Sequence, residues 1–164
     1  MGIVAGEAGE TSSVSEVHEF GRVCAMEAVQ VHNDYPVYVL DLGKDETMYQ
    51  TVDEIILYLK RMINDTPKAS YIGSFDHYDH TTRIGGEIGD EIQAARLVVF
   101  CFGFKLPNPE VLAVRPRSIG VADMGNRFVI SFLEAPVNPA NETIEKWLTG
   151  LHHEGEIKLA AAAQ

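Results

Sequence analysis

The sequence predicts an α+β fold: one domain with a mixed sheet of about five or six strands and three or four helices, mainly on one face. Segments with helical apolar period alternate with short β-branched and aromatic runs through the first two-thirds of the chain. The later runs follow one another with no helical segment between them. A length of 164 residues, 46% of them apolar, suits one core, and no repeat or break in composition marks a second. The boundaries read as a leader over residues 1–12, a domain over 13–155 and a flexible tail over 156–164.

Taken in order, "SVSEVHEFGRVCAMEAVQV" has capping-box spacing at Ser13 and Glu16, with Val17, Gly21, Cys24, Ala28 and Val31 at helical intervals. The β-branched residues at its end fit the start of a strand equally well. "TVDEIILYLKRMIN" is the strongest helix: Thr51 and Glu54 form a capping box, acids fill the first turn, and Lys60 and Arg61 sit in the last before Pro67 stops it. A third helix is expected over "EIGDEIQAA", where Ile84, Ile88 and Ile92 recur four apart. The last starts near Asn138-Pro139 and turns Ile144, Trp147, Leu148 and Leu151 to the core, which makes Trp147 an anchor more than a ligand platform. Strands fit "PVYVLDL", "SYIGSFD", "RLVVFCFG" and "EVLAVRP", then "SIGVAD" and "RFVISFLEA" joined through "MGN". The early strand-helix-strand order predicts crossovers with parallel pairing, and the later strands an antiparallel meander.

Charge narrows the function. Twenty-four acids against 13 bases give a formal charge of -11, which opposes binding to nucleic acid or anionic lipid. No run approaches the roughly 18 apolar residues that span a bilayer, and "MGIVAGEAGETSS" lacks the basic flank of a secretory signal. A cytoplasmic protein is expected. Its two cysteines are too few for a disulfide framework, and both read as buried hydrophobes, Cys101 within a strand. The sequon "NET" at Asn141 is then accidental.

"SFDHYDHTT" concentrates reactive groups, placing Asp76, His77, Tyr78, Asp79 and His80 in succession. If the strand persists, His77 and Asp79 share a face with Tyr71 and Phe75, while Asp76, Tyr78 and His80 share the other with Ile72. His77, Asp79 and His80 are the candidate metal ligands. Zinc asks for three or four, and no third-ligand motif follows. The same four residues, His77, His80, Asp76 and Asp79, are the candidates for acid-base catalysis, an aspartate orienting a histidine. The plain reading is a strand ending in a polar turn whose aspartates bond their own backbone.

Residues 96–127 form a basic island. Arg96, Lys105, Arg115, Arg117 and Arg127 face only Glu110 and Asp123, a charge of +3, leaving 8 bases and 22 acids, or -14, elsewhere. Arg115 and Arg117 flank Pro116, and their planar forks suit carboxylate or phosphate. Pairing with internal acids such as Glu87, Asp90, Glu91 or Glu134 competes with that use. "FKLPNPEVL" and "EAPVNPANET" bracket the region as proline-stiffened loops, fit for a rim or for plain turns. "RIGGEIGDE" lacks the phosphate-loop pattern, and its acids repel phosphate.

The segments "FDHYDHT", "FCFG", "LPNP", "RPRSIGV" and "ISFLEAP" resemble a group of small uncharacterised bacterial proteins, over about Tyr35 to Leu151. The resemblance implies a bacterial or archaeal intracellular domain of unknown function and carries over no catalytic residue. The expectation is therefore a self-associating binding or accessory protein recognising an anionic small molecule or a protein partner. In that reading Arg115 and Arg117 supply the anion contacts, with His77 and His80 nearby if the sheet joins them, and no cofactor is required. The alternative is a small enzyme using a His/Asp pair, with or without a divalent metal.

Overall fold

The computed structural model describes residues 26–31 and 35–162, with side chains placed for 26–29 and 35–152. Six strands make one sheet: β1 (Glu27–Val31), β2 (Tyr35–Gly43), β3 (Ala69–Asp76), β4 (Ala94–Phe102), β5 (Arg117–Asp123) and β6 (Arg127–Leu133). Three helices accompany them: α1 (Val52–Asp65), α2 (His77–Arg83) and α3 (Asn138–Ala162). The α+β class and the sheet size match the sequence reading. Of the first predicted helix, the end forms β1 and the rest lies outside the described residues. The last helix runs on to Ala162, beyond the boundary drawn at Gly155.

Strand order is β1-β2-β6-β5-β4-β3, and every neighbouring pair is antiparallel. The expected parallel pairing does not form. β2 and β3 run in the same direction, as a helical crossover allows, but β6, β5 and β4 lie between them. The later strands β4, β5 and β6 do form the antiparallel meander.

Helix α1 begins as its sequence dictates. Thr51 accepts from the Glu54 amide, while the Glu54 carboxylate accepts from the amides of Gln50 and Thr51. It runs past Lys60 and Arg61 to Asp65, so neither base occupies the last turn. Lys60 lies over the Tyr71 ring and Arg61 over Tyr58 instead. The helix predicted over Glu87–Ala95 is absent. Glycines 85, 86 and 89 weaken it, Gly85 takes φ +70°, and Ala94 and Ala95 are drawn into β4. "EVLAVRP" is a 3-10 turn over Pro109–Ala113, started by Asn108, whose side chain accepts from the Val111 amide. Strand β5 starts only after it.

One face of the sheet carries the core. Leu40, Leu42, Val98, Phe100, Ile119, Val121, Phe128 and Ile130 alternate inward and meet Ile55, Leu59 and Ile63 of α1 with Ile144, Trp147 and Leu148 of α3. Trp147 is a core anchor, stacked on Phe102 and edge-on to Phe100, its indole donating to Thr66 Oγ1. The two helices meet at Tyr58, whose hydroxyl donates to Trp147 O at 2.7 Å. The chain enters α3 over buried Asn141, which accepts from Ala135 N at 2.7 Å and donates to Ala135 O. That buried, doubly bonded amide closes the sequon to modification. The opposite face of the sheet has no helix packed across it among the described residues.

Candidate functional site

The dense polar segment resolves at the far end of β3. Tyr71 pairs with Phe100 and Gly73 with Val99, so a bulge at Ile72 inserts one residue and breaks the alternation. Tyr71 therefore faces the core while Phe75, opposite Leu97, lies on the open face, contrary to the shared face expected for them. The strand stops at Asp76, and α2 takes over from His77.

Helical spacing then sorts the side chains. His77 and His80, three apart, fall on the same side and pack on Phe75, their rings 6.3 Å from each other and 5.1 and 5.2 Å from Phe75. The carboxylates turn elsewhere. Asp76 caps α2 by accepting from Asp79 N at 2.8 Å and pairs with Arg96 at 3.1 Å. Asp79 pairs with Arg83 one turn on. Neither aspartate bonds either imidazole. Among the described residues, no three His, Cys, Asp or Glu side chains are grouped to hold a metal ion.

Arg115 and Arg117 stand at the opposite end of the sheet. Arg117 pairs with Phe100 and hence sits across from Tyr71, while Asp76 is opposite Arg96. About five residues of strand, roughly 17 Å, separate the two ends, so the histidines and these arginines do not form one site. The antiparallel β3–β4 pairing is what sets them apart.

The basic island splits by partner. Arg96 pairs with Asp53 and Asp76, and Arg127 with Asp41 at 3.0 Å. Lys44, outside the island, holds Asp123 at 2.9 Å. Arg115 and Arg117 pair with no carboxylate among the described residues. Arg115 donates to Lys105 O at 2.6 Å, and Arg117 Nη2 donates to Leu133 O. Arg117 Nε is buried with no partner, and burial lowers the guanidinium's pKa from its ordinary value. Glu134 and Glu145 act on Tyr38, whose phenol is pushed up first by burial and then by those two charges.

Apolar side chains surround this end without being covered. Phe104 is 77% exposed, Leu106 66% and Leu112 60%, all in the segment between β4 and β5, and Val137 beyond β6 is 61% exposed. Both proline-rich loops thus belong to this end, as the bracketing in sequence implied. The missed signal lay in those loops. Three large apolar residues stand around two prolines and an asparagine in "FKLPNPEVL", where no periodicity assigns them to a core. Gly103, at φ +75°, turns the chain out of β4 here, its amide donating to Lys68 O.

Fold and surface together define a single-sheet α+β protein with its two long helices, α1 and α3, on one face and a basic, apolar end. The chain belongs to a family of unknown function, DUF6858, whose profile matches residues 26–153. No curated protein and no solved structure matches it. No helix among the described residues is long and apolar enough to cross a membrane.

Proposed function

We propose that this is a bacterial, cytoplasmic accessory protein that self-associates and binds an acidic protein partner through the Arg115–Arg117 end of its sheet. One observation carries the reading: among the described residues these two arginines pair with no carboxylate, and they stand at the end of the sheet that presents Phe104, Leu106 and Leu112, which are mostly exposed. A guanidinium satisfied only by backbone carbonyls retains its charge for an incoming anion. Exposed large apolar side chains mark an interface when they cluster with such anchors. Arginines alone would serve a small anion as well. The apolar neighbours favour a polypeptide that brings both carboxylates and apolar residues.

The test uses a fluorescent synthetic peptide alternating glutamate with leucine and phenylalanine, titrated with full-length protein by anisotropy. The expected result is saturable binding, weakened tenfold or more in Arg115→Ala/Arg117→Ala and unchanged in Arg83→Ala. Leu106→Ser should weaken it too. Binding indifferent to both changes overturns the proposal. Loss on arginine removal alone, matched by competition from inorganic phosphate, would redirect it to a small anion.

A further inference from the structure

The sheet face opposite α1 and α3 is an apolar surface inside a strongly acidic protein. The strand register places Val37, Val39, Val129, Ala122, Leu97 and Val99 on it, in adjoining rows across four central strands. All six are only partly covered. Its charged groups are few: Asp41 and Arg127 pair with each other, and Glu27 stands at the margin on β1. Ser118, Gly120 and Ser131 complete the central rows with small side chains, and the bulkier Tyr35, Leu133 and Phe75 stand at the edges of the face.

We infer that this face packs against the same face of a second copy, making a two-fold sandwich of sheets. The inference rests on the self-association part of the proposed function and does not involve the arginine end. Size selects the occupant. Six strands about 4.8 Å apart and about seven residues long span roughly 29 by 24 Å, near 700 Å² in projection. That approaches the roughly 800 Å² per partner that a stable interface removes from water. A single helix, about 10 Å wide, would cover about a third of it. A second sheet covers all of it, since aligned sheets pack face to face with their side chains interdigitated.

Charge selects the same occupant. Two copies of a chain carrying -11 repel except where the charge is locally cancelled. The Asp41–Arg127 pair leaves the middle of this face neutral. An isologous contact also needs a surface complementary to itself, which rows of valine with small residues between them supply.

Sedimentation velocity of the full chain, at concentrations from about 1 to 100 µM, tests this against a chain mass of 18.1 kDa. The expected species has twice that mass. Ser118→Lys adds a charge at an exposed position of the face that no fold contact uses, and should convert the protein to monomer with an unchanged circular dichroism spectrum. Val99→Lys, on β4 beside Ser118, should do the same. Leu57→Lys, on the exposed side of α1, should leave the dimer intact. A monomer at every concentration overturns self-association itself. An oligomer that survives both face substitutions, or that Leu57→Lys dissociates, keeps self-association but overturns this surface.

Discussion

Asn141 shows what one buried polar side chain does for this protein. Its amide satisfies both the N–H and the C=O of Ala135, closing the turn between β6 and α3. Removing it strands two backbone groups in a buried site, where each unsatisfied group is costly. Asn141→Ala should lower unfolding stability by about 1–3 kcal/mol in urea melts. Asn141→Asp should do at least as much harm, because the donor to Ala135 O is lost and a carboxylate is buried. Sequence reading saw at Asn141 only a sequon, since burial belongs to no local pattern. Arg115 and Arg117 were legible as candidates from charge contrast. Whether they were internally paired depended on the fold, which among the described residues gives each a backbone carbonyl and no carboxylate.

At the scale of elements, the segment Ser74–Thr82 turned on where β3 ends. Asp76 is the hinge between strand and helix, capping α2 with one oxygen and holding Arg96 with the other. Asp76→Ala should cost about 1 kcal/mol through the lost cap. Asp76→Asn, which keeps a capping oxygen and drops only a half-exposed ion pair, should cost well under that. Equal losses in the two variants would show that the ion pair, and not the cap, holds this junction.

The helices pose a different constraint. A Cβ on Gly150 would lie 2.2 Å from the Tyr58 hydroxyl, the group that ties α1 to α3. Gly150→Ala should therefore destabilise by about 1–3 kcal/mol despite alanine's better helix propensity. Adding Tyr58→Phe should recover part of the loss, and a double-mutant cycle measures the coupling. Elements with strong local signals, such as α1 with its capping box and the hairpin through Gly125, were legible in sequence. The helix expected over Glu87–Ala95 does not form, because its isoleucine period competed with three glycines and with recruitment of Ala94 and Ala95 into the sheet.

At the scale of the whole molecule, the sheet order assigns each surface its task. The helical face holds the core, the end at β3 and α2 is tied by Arg96, and the opposite end presents Arg115, Arg117 and the apolar loop. The open face is the surface proposed for assembly. If the Arg115–Arg117 end binds independently of that face, Val129→Lys, on the same face but towards its other end, should leave affinity for the acidic peptide unchanged while it alters mass. Peptide binding that falls together with the dimer would mean that the two surfaces form one composite interface.

The sequence by itself determined the α+β class, the α1 capping box, the Trp147 anchor and the charge contrast that singled out the arginines. Each depends on period, caps or composition within a short stretch of chain. Tertiary structure decided the antiparallel order, the bulge at Ile72 that put Tyr71 and Phe75 on opposite faces, and the distance between the histidines and the arginines. Strand pairing joins residues far apart in sequence through backbone hydrogen bonds that any side chain allows, so local pattern leaves the choice of neighbour open.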